Sequence, residues 1–306
     1  MTNTSFIGLC AALSSIATAA VLAGCGGGGG SNTDPNQGAG SNPTISSAVA
    51  GTPMFGKPLV LTLTGTNLDQ GISVTATGCS GVTIDVSSSG SSTAQYGCTV
   101  SAMGAGQFVV TRTSGGTTLS TTVFNVPAPQ VTLDFSNGAG VSGEIVLTLA
   151  PDKTPVTVGN FLSNVNSGFY TGTVFDSVRP GFAVQGGGYT APLDADTQNF
   201  KSTNASIPLE VGKGLSNTKW TVAMASASTS DPASATSEFF INLGDNSGAL
   251  DPGAGPGFAV FGTVTSGTAD VTAIVGAPCA VIPLFSRSGE CTPTPNMAIT
   301  SALQTQ

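Results

Sequence analysis

Gly168-Phe169-Tyr170-Thr171-Gly172-Thr173-Val174-Phe175-Asp176-Ser177-Val178-Arg179-Pro180-Gly181-Phe182-Ala183-Val184-Gln185-Gly186-Gly187-Gly188 is the stretch on which the reading of this chain turns. A glycine-rich turn is weak evidence alone, so its weight comes from what surrounds it. Upstream, Val131–Phe135 and Gly143–Leu149 alternate like hairpin strands joined through Asn137-Gly138-Ala139-Gly140. A helix is expected next. Thr154 is placed to cap it, Pro155 suits its first position, and Val158, Phe161, Leu162 and Val165 repeat at i, i+3, i+4, i+7 before Gly168 ends it. Downstream come Thr221-Val222-Ala223-Met224-Ala225, then Ser237-Glu238-Phe239-Phe240-Ile241-Asn242, then Leu250-Asp251 and Phe258–Val264.

These blocks, in this order, resemble the cyclophilin signature: a Gly-Phe-Tyr turn, Phe-His-Arg, Pro-Gly-Phe and Gln-Gly-Gly, followed by a Met-Ala strand and a Ser-Gln-Phe-Phe-Ile strand. The resemblance covers residues 129 to 306 and implies an eight-stranded antiparallel barrel with two helices and a site on its outer face. The implied activity is peptidyl-prolyl cis-trans isomerisation of proline-containing polypeptides, without a metal or organic cofactor. Carried over by position, Phe182, Ala183, Phe240, Leu250 and Phe258 form the proline pocket, while Gln185 and the backbone near Ala225 grip the substrate chain. Ala183 stands where a methionine is usual, Glu238 where a glutamine is, Phe258 where a histidine or tyrosine is, and Ala249 where a tryptophan is. Trp220 is expected in core or rim. The main departure is Asp176-Ser177 in place of His-Arg. Ser177 cannot deliver a forked cationic donor to the prolyl nitrogen. By analogy with deleting one transition-state donor, that costs on the order of 10²–10³ in rate. Arg179 falls on the same strand face as Ser177. It either reaches into the site as a substitute catalytic group or is a solvated surface arginine.

Composition agrees with a mostly β protein. Of 306 residues only 8% are charged and 42 are glycine. Eight basic against 16 acidic residues, with no basic run, argue against nucleic acid as a partner. The absence of histidine removes Ser-His-Asp and Cys-His catalysis and the usual catalytic zinc ligand sets. Residues 43–127 carry repeated β-runs, at Leu59–Leu68, Ile72–Thr75, Val82–Val86 and Phe108–Thr111, and read as a small sandwich. Its Gly56-Lys57-Pro58-Leu59 stretch resembles the start of an immunoglobulin-like spacer domain. Pro127-Ala128-Pro129 is a natural boundary.

The amino terminus carries an apolar stretch from Phe6 to Ala23 ending in Leu22-Ala23-Gly24-Cys25, which resembles a bacterial lipobox. This implies a signal peptide over 1–24, a lipidated Cys25, and a flexible Gly/Ser/Asn tether to residue 42. An uncleaved membrane helix and an ordinary secretory signal are the alternatives. Met1-Thr2-Asn3-Thr4-Ser5 lacks the usual Lys or Arg of a signal's start. A lipid anchor places the protein in the cell envelope, on the periplasmic face or surface of the outer membrane. With Cys10 in the leader, Cys79, Cys98, Cys279 and Cys291 remain, and local disulfides Cys79–Cys98 and Cys279–Cys291 are the simplest of three connectivities; reduced buried thiols are the alternative. Three functions compete: a slow envelope prolyl isomerase assisting exported proteins, a proline-peptide binding module with little or no catalysis, and a structural surface lipoprotein.

Overall fold

Alternation of buried and exposed side chains builds the first lobe. In the computed structural model, which describes residues 42–228, 231, 233–253, 255–282 and 289–306, seven strands come first: β1 (Thr44–Ala50), β2 (Pro58–Thr66), β3 (Ile72–Thr77), β4 (Cys79–Asp85), β5 (Thr93–Val100), β6 (Gly104–Arg112) and β7 (Thr118–Val126). They form two antiparallel sheets, ordered β1-β2-β5-β4 and β3-β6-β7. Leu59, Leu61 and Leu63 point inward from β2 and meet Tyr96, Val100, Phe108, Val110 and Phe124 in one hydrophobic core. Gly106 lies flat against the Phe124 ring, where a Cβ would sit 2.3 Å from a ring carbon. The leader, Cys25 and the tether up to residue 41 lie outside the described residues.

The second lobe is a barrel. Its strands are β8 (Gln130–Ser136), β9 (Ser142–Leu149), β10 (Thr173–Arg179), β11 (Ala183–Leu193), β12 (Gln198–Phe200), β13 (Thr221–Met224), β14 (Phe239–Asn242), β15 (Val260–Ser266), β16 (Cys279–Ala280), β17 (Thr292–Pro293) and β18 (Met297–Gln304). The sheet runs β10-β18-β8-β9-β15-β13-β14-β11-β12, and β10 also pairs with β11. Eight antiparallel strands therefore close on themselves, with β12 appended to β11 and no free edge within the ring. Two helices of more than one turn accompany it, α1 (Pro155–Asn166) and, after the single turn α2 (Ser247–Leu250), α3 (Thr268–Gly276).

Val158, Phe161, Leu162 and Val165 of α1 are all buried in the barrel core, as their spacing predicts. Phe161 sits 5.1 Å from Tyr170, 5.6 Å from Phe239 and 4.9 Å from Phe261, ring centre to ring centre. Gly168, at φ +72°, supplies the left-handed residue beyond the helix end while the Phe169 amide donates to the Asn164 carbonyl. The cap at the other end differs from expectation. Thr154 makes no side-chain cap bond. Instead the Glu210 carboxylate accepts from the Thr157 amide at 2.7 Å and from the Thr157 hydroxyl at 2.8 Å, a negative charge at the positive end of the helix dipole.

Ser41–Gln306 forms one compact unit. Val126 ends the last sandwich strand and Gln130 begins the first barrel strand. Phe55 packs against both cores, Gln304 Nε2 donates to the Phe55 carbonyl at 2.8 Å, and Lys57 Nζ donates to Asn166 Oδ1 at 2.7 Å. The Sγ atoms of Cys79 and Cys98 stand 2.23 Å apart, and those of Cys279 and Cys291 2.00 Å apart, both disulfide distances.

Candidate functional site

The site is a row of cross-strand partners on the barrel's outer face. Ser177 on β10 faces Gln185 on β11, Gln185 faces Phe240 on β14, Phe240 faces Ala223 on β13, and Ala223 faces Val260 on β15. Directly opposed side chains are about 5 Å apart. The row therefore passes from polar to apolar across five strands. Its apolar end is a small cluster separate from the main core: Ala223, Ala225, Phe240 and Val260 are buried, with Ala183, Leu215, Leu250 and Phe258 partly buried against them. Phe240 and Phe258 meet edge to face at 5.5 Å.

A buried polar scaffold holds the walls of this pocket. Asn217 Nδ2 donates to the carbonyls of Leu250 (3.1 Å) and Phe258 (3.2 Å) and to Asp251 Oδ1 (2.9 Å). Asn242 Nδ2 donates to Asn217 Oδ1, and Asn246 Nδ2 donates to both Asn242 Oδ1 and the Phe182 carbonyl. Ser216 and the Asn217 amide also donate to Asp251. Burial opposes ionisation of Asp251, yet these hydrogen bonds outweigh it and hold the carboxyl below its usual range.

The polar end is built around a β-bulge. Phe175 pairs with Gly186 and Ser177 with Gln185, so Asp176 is the extra residue. Strict alternation would turn Asp176 out, Ser177 in and Val178 out. Instead Phe175 and Val178 enter the core while the successive residues Asp176 and Ser177 both line the cleft. Asp176 is fully buried and neither carboxyl oxygen has a hydrogen-bond partner. Burial, then the nearby Glu238 and Glu290, push its carboxyl well above the ordinary range. Burial, Glu238 and Asp176 likewise raise Tyr189. Glu290 is fixed by its neighbour: Cys291 exchanges backbone hydrogen bonds with Val178 of β10 at 2.8 and 3.0 Å.

An open cleft of about 1120 Å³ contains Ser177, Arg179, Phe182, Ala183, Gln185, Ala225, Glu238, Phe240, Leu250 and Phe258, so the structure brings all ten together. Their arrangement adds detail to the sequence reading. Gln185 Nε2 donates to Glu238 Oε1 at 3.1 Å, so the replacement at 238 holds the glutamine. The Ala225 amide donates to the Glu238 carbonyl at 2.9 Å, which commits that donor inside the protein. Arg179 is exposed, and its guanidinium carbon lies 4.6 Å from the centre of the Phe182 ring. Trp220 packs on the main core and does not line the cleft. Sequence reasoning missed Asp176, Tyr189, Ser226 and Glu290 as cleft residues. The one local signal for Asp176 was an acid directly after the apolar pair Val174-Phe175.

Comparison with known proteins finds relatives of the second lobe. The family model described as "Cyclophilin type peptidyl-prolyl cis-trans isomerase/CLD" matches residues 132–302. Peptidyl-prolyl cis-trans isomerase A of Dickeya dadantii is 43% identical over 152 residues, 49% of this chain and 76% of that protein. Peptidyl-prolyl cis-trans isomerase cyp18 of Streptomyces antibioticus is 46% identical over 138 residues, 44% of this chain and 79% of that protein. A Cryptosporidium parvum cyclophilin type isomerase, solved in the presence of the dipeptide Ala-Pro, aligns with a TM-score of 0.44 and 20% identity over 58% of this chain and 99% of that one.

Proposed function

Since the chain belongs to the cyclophilin-type peptidyl-prolyl cis-trans isomerase family, we propose that it is a slow isomerase of exported, proline-containing polypeptides whose rate is limited by Ser177. The reaction must carry an Xaa-Pro amide over a resonance barrier of about 18–20 kcal/mol. Groups that bind the twisted amide better than either planar form lower that barrier. In this reading Phe240, Leu250, Phe258 and Phe182 enclose the proline ring, and Gln185, held by Glu238, meets the substrate backbone. Ser177 occupies the row position next to Gln185 and offers only a short neutral hydroxyl. The observation that carries the proposal is the continuous row from Ser177 through Gln185 to Phe240 beside an apolar pocket.

The test is magnetisation exchange between cis and trans forms of a proline peptide, on the parent and on Ser177→Arg. The variant is expected to turn over on the order of 10²–10³ faster, the size of one restored transition-state donor. Equal rates would remove Ser177 as the limit. A parent indistinguishable from the uncatalysed exchange, yet binding the peptide, would favour the binding-module reading.

The remaining features fit an envelope protein. The order β1-β2-β5-β4 against β3-β6-β7 is that of an immunoglobulin-like constant-type sandwich and supports a spacer role for the first lobe. The two cysteine pairs suit an oxidising compartment. Acyl labelling that is present in the full chain and lost in Cys25→Ser would support the lipid anchor; equal labelling would remove it.

A further inference from the structure

Of the cleft acids, the isomerisation just described uses Glu238 to hold Gln185 and leaves Asp176 and Glu290 without a role. Asp176, Glu238 and Glu290 all line the cleft, together with Arg179, whose guanidinium lies over the Phe182 ring. Their mutual influence is evident, since Glu238 and Glu290 both act on Asp176. Acids near one another are ordinary on a protein surface. A fully buried carboxyl with neither oxygen hydrogen-bonded, aimed by a bulge into a cleft, is not. Such a group gains most from a ligand that brings donors and positive charge.

We propose that the end of the cleft lined by Asp176, Glu238 and Glu290 is a subsite for the basic side chain of a lysine or arginine next to the substrate proline. The proposal rests on the reading of Phe240, Leu250 and Phe258 as the proline pocket. Position selects a peptide side chain over a free ion. Gln185 bonds to Glu238 and is also the cross-strand partner of Phe240, so one side chain separates the nearest acid from the pocket, a gap that extended chain rising about 3.3 Å per residue spans in a few residues. Among the described residues, no three His, Cys, Asp or Glu side chains are grouped to hold a metal ion. Lysine or arginine beside a bound proline reaches these carboxylates over a short span. Glutamate in that place meets Glu238 and Glu290 and is repelled.

The experiment uses the full chain and a peptide series in which the residues flanking a single proline are Lys, Arg, Ala or Glu, with Kd measured by calorimetry at about 20 mM and 300 mM salt. At low salt the Lys and Arg peptides are expected to bind at least about fivefold more tightly than the Ala peptides, and the Glu peptides more weakly still. The preference shrinks at high salt, and falls below about twofold in Glu238→Gln/Glu290→Gln. Equal Kd across the series, or a preference untouched by both salt and the double variant, overturns the subsite. The salt series needs no variant, so a folding defect in the double variant does not blunt the test. Control peptides with proline replaced by alanine separate the two readings. If they keep the basic preference and bind as tightly, the subsite stands and the proline pocket falls.

Discussion

The two ends of the cleft handle buried polar groups in opposite ways. At the pocket end Asn217, Asn242 and Asn246 are all buried, and their amides are spent on one another and on the carbonyls of Phe182, Leu250 and Phe258. Asp251 joins them with donors from Ser216 and Asn217. At the acid end Asp176 is as deeply buried and has no such partners. One carboxyl is accordingly held below its ordinary range and the other pushed above it. The matched end suits a rigid wall for a ring, and the unmatched end suits a place where a ligand supplies what is missing.

The largest test of the matched end removes its floor. Phe240 is 5% exposed and touches Phe258, so Phe240→Ala should cost about 3–5 kcal/mol in urea unfolding and abolish proline-peptide binding. Retention of binding would show that the ring pocket lies elsewhere. Asn217→Ala is smaller. It takes one donor each from Asp251 and from the carbonyls of Leu250 and Phe258, which should cost about 1–3 kcal/mol. Because Asn217 holds pocket walls and not the row position of Ser177, KM should rise more than kcat falls. A fall confined to kcat would break the division between pocket and polar row.

The two carboxyls should also give opposite pH slopes. Asp176 binds its proton more tightly folded than unfolded, where its pKa is about 3.9. Between those values the folded state holds more protons. Stability therefore declines as pH rises, by at most about 1.4 kcal/mol per pH unit. Asp251 is the reverse: its contribution is present above the unfolded pKa and is lost as pH falls through the folded one. Unfolding free energies across pH 3–9 should show Asp176→Asn flattening the decline on the rising side and Asp251→Asn flattening the acid side. If Asp176→Asn leaves the profile unchanged, Asp176 is matched in solution and the contrast between the ends disappears.

How much of this was legible beforehand follows from how local each feature is. Helix α1 and the β8–β9 hairpin were readable because their periodicities lie within a few residues. The sandwich strands were readable from the same kind of alternation, as in Leu59, Leu61 and Leu63. Strands β13 and β14 have four residues each, too few for a period, and were found only through family resemblance. The cap of α1 was misread because its acid lies 53 residues downstream of Thr157. The bulge at Asp176 was hidden for another reason. It breaks the alternation by which faces are assigned, so the family position drew attention to Ser177 while its neighbour turned to the same cleft.

Arg179 carries the smallest expected effect and the sharpest question about the polar end. It shares the cleft with Ser177, as strand geometry requires, but its guanidinium rests over Phe182. An exposed cation over an aromatic ring is worth about 0.5–1 kcal/mol, so Arg179→Ala should lower stability by no more than that. Its effect on turnover should also be slight, because reaching a prolyl nitrogen beside Ser177 would mean giving up the ring. Arg179→Lys, which keeps a cation able to sit over the ring, should retain more of that stability than the alanine variant. A fall in kcat of a hundredfold in Arg179→Ala, with stability unchanged, would instead make Arg179 the donor that Ser177 lacks. The polar end would then be a catalytic end, with its charge supplied from two residues along the same strand.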